Sequence, residues 1–328
     1  MSNLYSCKAM LRAPLICLFS LLPMLAMAKP STLNADEKAV GSITKPSLAS
    51  NEGMVEGIFY QTFGSGRPVL IINGGPGLDS AGFEPVAKAI AAKGYQTILF
   101  DQRGTGRSTL PKIDGSTIQM SLMVEDIEKL RSHLKQPKFT ILGHSFGGML
   151  GAAYAAKYPE HVEKLIFSSA GGLDLSFREQ FSKRFNANLT LTEQAKMQAY
   201  QLQQAAGDDS AETRDALALV RAHAYVIDKS KAPAIAARLK VVNMAINGLV
   251  YQDLEKIQFD LKSSFRDFKA PVLVLQGDKD VIGVDTAKTI ANSFPDARLV
   301  IISNCAHYGW LDSAELYYAS VFEFIQAP

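Results

Sequence analysis

The chain has 328 residues, of which 47% are hydrophobic and 20% charged. That balance excludes a disordered chain, a collagen-like repeat and a polytopic membrane protein. Lys plus Arg number 34 and Asp plus Glu 32, a net charge of +2, so nothing points to nucleic acid or an anionic membrane as partner.

Residues 1–28 read as an export signal. Lys8 and Arg12 supply the basic start, an apolar run extends from Ala13 to Met27, and Ala26-Met27-Ala28 gives a small-x-small cleavage pattern. Pro14, Pro23 and the short run argue against a spanning helix, and an uncleaved anchor is the alternative. The expected location is the periplasm or the exterior. Cleavage would remove two bases and no acid, leaving a net charge of zero. It would also remove Cys7 and Cys17, and Cys305 alone cannot form an internal disulfide. Residues 29–50 are rich in Ser, Thr, Lys and Pro and read as a flexible leader.

Two β-rich runs, Val55–Phe63 and Pro68–Ile72, flank Gly64-Ser65-Gly66-Arg67 and predict a hairpin. Helical spacing follows over Gly82–Lys93, a strand over Gln96–Phe100 and an amphipathic helix over Gln119–Leu134. A strand at Phe139–Leu142, a helix at Phe146–Tyr158 and a strand at Val162–Phe167 continue the alternation. Such alternation implies crossovers and a parallel sheet. It stops near Leu173. Residues 173–261 are helical in pattern, and strand–helix alternation resumes at Pro271–Gln276, 284–294, Leu299–Ser303 and about 312–326. The expected fold is α/β: a doubly wound, mostly parallel sheet built from 51–172 and 262–328, with 173–261 inserted as a helical cap.

Gly143-His144-Ser145-Phe146-Gly147 lies between a strand and a small-residue helix, the context that gives G-x-S-x-G its meaning. Ser145 would then sit on a sharp turn as nucleophile, and the Phe146 N–H at the helix start would face a developing oxyanion. A serine needs a base, and the base an orienting acid, in the chain order Ser, acid, His. His307 follows the last strand and is the only histidine beyond His223. Asp280 is the preferred acid, three residues past Gly277; Asp278 is second and Asp174 third. Gly74-Gly75-Pro76-Gly77 follows a strand and offers a second N–H, from Gly75 or, shifted by one, from Gly74.

The other histidines carry less. Strand geometry points His144 away from the Ser145 side, His133 and His161 belong at the surface, and His223 falls in the insertion. Cys305 reads as a packed thiol. The stretch Asp101–Ser108 lacks a phosphate-loop pattern and reads as a turn held by an Asp–Arg network. No zinc spacing is present, and no metal or cofactor is expected.

The glycine loop at 74–77 and Asp101-Gln102-Arg103-Gly104-Thr105-Gly106-Arg107-Ser108 resemble the proline iminopeptidase branch of the α/β-hydrolases, over about residues 52–328. Asn73 stands where that branch usually has His, and Phe146 where it often has Trp. The resemblance implies a helical cap and a Ser-His-Asp triad working through an acyl-enzyme. It implies a small amide or ester as substrate, with removal of an N-terminal proline from a short peptide as one candidate reaction. A carboxylesterase or lactonase is the alternative, and a non-catalytic binding protein the other class. Dehalogenase and epoxide hydrolase chemistry are disfavoured, because those relatives use Asp at the Ser145 position. In iminopeptidases, cap carboxylates receive the free amino group; Glu179, Glu193, Asp208, Asp209, Glu212, Asp215 and Glu255 are available here.

Overall fold

The computed structural model describes residues 50–208 and 210–327. The expected export signal and residues 29–49 of the expected leader lie outside the described residues; Ser50, counted in that leader, already opens a strand.

Eight strands form one sheet: β1 (Ser50–Val55), β2 (Ile58–Phe63), β3 (Arg67–Ile72), β4 (Tyr95–Phe100), β5 (Phe139–His144), β6 (Val162–Ser168), β7 (Val272–Gly277) and β8 (Ala297–Ile302). Their order is β1-β2-β4-β3-β5-β6-β7-β8. From β4 to β8 every neighbouring pair is parallel; β1–β2 and β2–β4 are antiparallel.

The hairpin expected around Gly64–Arg67 is a correction. β2 and β3 are not neighbours, because β4 lies between them. The true hairpin joins β1 to β2 across Glu56-Gly57, with Val55 opposite Ile58. The reason lies in β3. Val69, Leu70, Ile71 and Ile72 are all fully buried, and a strand apolar on both faces belongs in the sheet interior between parallel partners. The Gly64–Gly66 link therefore packs against the turn before β4; a Cβ at Gly66 would stand 2.2 Å from the Gly94 carbonyl.

The period of two divides the core. Leu70 and Ile72 join one apolar cluster, Val69 and Ile71 the other. On the first face lie α2 (Met120–His133), α3 (Phe146–Lys157) and α9 (Val284–Asn292). On the second lie α1 (Glu84–Ala91) and α11 (Ala314–Gln326). The last predicted helix is α11, and a short α10 (Gly309–Asp312) that was not expected precedes it, with Ser313 between them.

Between β6 and β7 come five helices: α4 (Arg178–Ala187), α5 (Leu191–Ala205), α6 (Ala211–His223), α7 (Ala232–Leu239) and α8 (Met244–Lys256). Their starts are encoded locally. Thr190 and Glu193 form a capping box on α5, Ser210 caps α6, and Asn243 caps α8. The two ends of the insertion meet, where the Leu261 N–H donates to the Leu173 carbonyl at 2.8 Å.

Candidate active site

Ser145 sits between β5 and α3 with φ 55° and ψ −122°. A non-glycine residue at positive φ is strained, and the surroundings must hold it there. They do so by close packing. A Cβ at Gly147 would lie 2.1 Å from the Ile72 carbonyl, and one at Gly143 would lie 2.4 Å from the Gly147 carbonyl. The Ser145 N–H donates to Ser168, and its carbonyl accepts from Gly148 and Gly171. The residue pattern G-x-S-x-G is thus the steric requirement of this turn.

His307 Nδ1 lies 2.8 Å from Asp280 Oδ1, and both side chains are buried. A carboxylate only accepts, so the hydrogen of this bond sits on Nδ1. Asp280 is held in turn. Its Oδ1 also accepts the Ile282 N–H at 2.9 Å, and its Oδ2 accepts from Gln276 Nε2 at 2.8 Å. Asp278 faces elsewhere: its carboxylate takes the Cys305 N–H and an ion pair with Lys279. Asp174 is paired with Lys262. Of the three acids weighed, Asp280 alone meets His307.

Ser145, His307, Gly74, Gly75 and Phe146 all line one cavity of about 560 Å³. Gly74 backs directly onto the serine; a Cβ there would be 2.5 Å from Ser145 Cβ. Phe146 opens α3, where first-turn N–H groups have no partner within the helix. Asn73 is buried behind the loop, donating to the Leu78 carbonyl at 3.0 Å, while Gln102 donates to the Asn73 carbonyl at 2.9 Å. The 101–108 turn is held by Asp–Arg contacts that reach beyond the turn itself. Asp101 accepts from the backbone of Ser80 and Arg107, and the Arg103 guanidinium pairs with Asp126 in α2.

His144 is packed among aromatic rings, but it is not turned away from the site. It lines the same cavity, with its ring 4.6 Å from that of His307. Burial, with the nearby His307 and Arg238, holds its pKa well below the usual imidazole range. Aromatic Phe83, Tyr308 and Trp310 complete its surroundings. Alternation along β5 was a poor guide because the strand ends here in the strained turn. Cys305 is a buried thiol pushed up to about 12 by burial. His133 bonds Tyr60, His161 bonds Glu128, and His223 bonds Glu193.

The cavity walls are apolar and aromatic: Leu78, Met149, Phe177, Phe181, Leu239, Met244 and Tyr251 among them. Ser182, Asn247 and Arg178 add polarity, and Arg178 is ion-paired with Glu255. Among the described residues no carboxylate lines the cavity. The cap acids are engaged or outward. Glu193 serves Thr190 and His223, Asp208 accepts from Thr213, Asp215 pairs with Lys240, and Glu179 and Glu212 are exposed. Asp209 lies outside the described residues.

A doubly wound sheet with a strained serine turn at its carboxyl edge and a buried His–Asp pair beside it defines a hydrolase fold, and the model for the alpha/beta hydrolase fold matches residues 67–314. The chain belongs to that family and is a hydrolase of that type. It is similar to the proline iminopeptidase of Heyndrickxia coagulans, 26% identical over 281 residues that cover 82% of this chain and 95% of that protein. Among solved structures, an esterase from Exiguobacterium antarcticum superposes with TM-score 0.64 at 19% identity, covering 82% of this chain and 96% of that one. The proline iminopeptidase of Mycobacterium smegmatis superposes with TM-score 0.63 at 21% identity, covering 84% and 97%.

Proposed function

We propose that the protein is a serine hydrolase acting through an acyl-enzyme on small esters or amides whose acyl part is uncharged and apolar. Ser145 attacks the carbonyl, His307 Nε2 takes its proton and passes it to the leaving group, and Asp280 fixes the tautomer and balances the imidazolium. The N–H groups of Gly75 and Phe146 hold the oxyanion, and water releases the acid by the same steps. Supporting this is the His307–Asp280 bond beside a strained Ser145 on one cavity.

The acyl preference rests on the walls. A substrate ammonium buried there would need a carboxylate to offset its desolvation, and none lines the cavity. Removal of an N-terminal proline is the second reading, favoured by the iminopeptidase relatives. A panel of p-nitrophenyl esters beside aminoacyl-p-nitroanilides, proline included, separates the two. Ester cleavage with kcat/KM far above that for prolyl-p-nitroanilide is expected. The reverse ranking would replace the first reading with the second. We also propose that the chain is exported by its first 28 residues. Detection of a chain beginning at Lys29 in the periplasm or medium would test that.

A further inference from the structure

The cap does more than roof the cavity: it grips the two loops that carry the acid and the base. On the acid side, Arg184 of α4 donates through Nε to the Asp280 carbonyl at 2.8 Å and through Nη2 to the Asp278 carbonyl at 3.3 Å. Asn188, one residue past α4, donates to the Lys279 carbonyl at 2.7 Å and to the Ala224 carbonyl at 2.8 Å. Three successive carbonyls of the acid loop are therefore held from the cap.

On the base side, the His307 N–H donates to the Tyr225 carbonyl at 3.1 Å, and the two rings lie 5.5 Å apart. Asp312 closes the joint. Its Oδ2 accepts the Ala306 N–H at 2.9 Å, while its Oδ1 accepts the N–H groups of Ile227 and Asp228 at 2.9 and 3.3 Å. One carboxylate thus ties the residue before the base to the segment between α6 and α7. Lys229 links the two sides, donating to the carbonyls of Val226 and Asn188. Neither Arg184 nor Asp312 lines the cavity.

We propose that Asp312 and Arg184 are positioning residues, through which the cap holds His307 and Asp280 in register with each other and with Ser145. The inference rests on the serine-hydrolase reading above. An orienting group acts on the reaction coordinate, and misplacement by about 1 Å is worth on the order of 10²-fold in rate. The amide of Asn keeps one accepting oxygen and turns an NH₂ toward an N–H donor, so Asp312→Asn breaks at least one of the two grips while preserving shape.

The test measures kcat and KM for a neutral p-nitrophenyl ester, per active site titrated with a fluorophosphonate. Variants are Asp312→Asn, Arg184→Gln and each combined with Asp280→Asn. Expected is a fall in kcat of roughly 10–100-fold in each single variant, with KM within about twofold. In the Asp280→Asn background the further fall should shrink to a few-fold, since the pair they orient is already broken. Arg184→Gln keeps the proposal testable if Asp312→Asn fails to fold. A kcat per titrated site within twofold of wild type, or effects that multiply undiminished in the Asp280→Asn background, would overturn it. Retention of activity by Ser145→Ala would instead overturn the serine reading, and this inference with it.

Discussion

The imidazoles of His144 and His307 lie 4.6 Å apart, and their residues are 1% and 4% exposed. Two charged rings at that distance in a buried site repel strongly. Burial already holds His144 neutral, and a proton on His307 would depress it further. The acid limb of kcat/KM should therefore have a slope of one, and His144→Phe should keep that slope. A slope of two would show that both rings charge.

The two aspartates of the acid loop should behave differently. Asp280→Asn removes the charge and can turn an NH₂ toward His307 Nδ1, which favours the wrong tautomer, and kcat should fall by about 10⁴ with the fold intact. Asp278→Asn touches only the Cys305 N–H and Lys279 and should stay within about tenfold of wild type. Steady-state kinetics on both variants decides the matter, and equal losses would contradict the assignment.

Gly74→Ala should lower kcat by at least about 10²-fold, because the new methyl displaces Ser145 or the loop facing it. Gly248→Ala in α8 is the control. A Cβ there meets nothing within 4 Å, so activity should persist with about 1 kcal/mol of added stability from helix propensity. Kinetics and thermal unfolding read both.

Acid should weaken the start of α5. Burial raises the Glu193 carboxyl, but the Thr190 N–H and hydroxyl and His223 outweigh it, and its pKa lies below the ordinary 4.5. A depressed carboxyl stabilises the folded state fully above its unfolded value and loses that contribution as pH falls through the folded value. Thr190→Ala should cost about 1 kcal/mol at neutral pH. The Tm gap between wild type and Glu193→Gln should narrow from pH 7 to pH 3. A gap that widens on acidification would reverse the sign.

The parallel sheet was legible because buried strands and amphipathic helices alternate with different periods, and the serine turn because only glycine fits at 143 and 147. Asp280 was preferred over Asp278 from its offset past Gly277, and the structure brings it to His307. What stayed hidden was non-local. Strand order cannot be read from a glycine link, so β4 between β2 and β3 was missed. His144 was placed by strand alternation, which fails where a strand runs into a strained turn. Gln276, Arg184 and Asp312 act through hydrogen bonds to residues 4 to 96 positions away, and no motif marks them. The contacts of the inserted helices with the loops of Asp280 and His307 are equally invisible in the sequence.

The central claim is that Ser145 is a nucleophile activated by His307. Its most direct test is stoichiometric labelling with a fluorophosphonate, followed by peptide mass mapping. One adduct per chain is expected, on Ser145, absent in Ser145→Ala and slowed at least about 10²-fold in His307→Ala. An unlabelled wild-type enzyme, or an adduct that maps to any other residue, would contradict it.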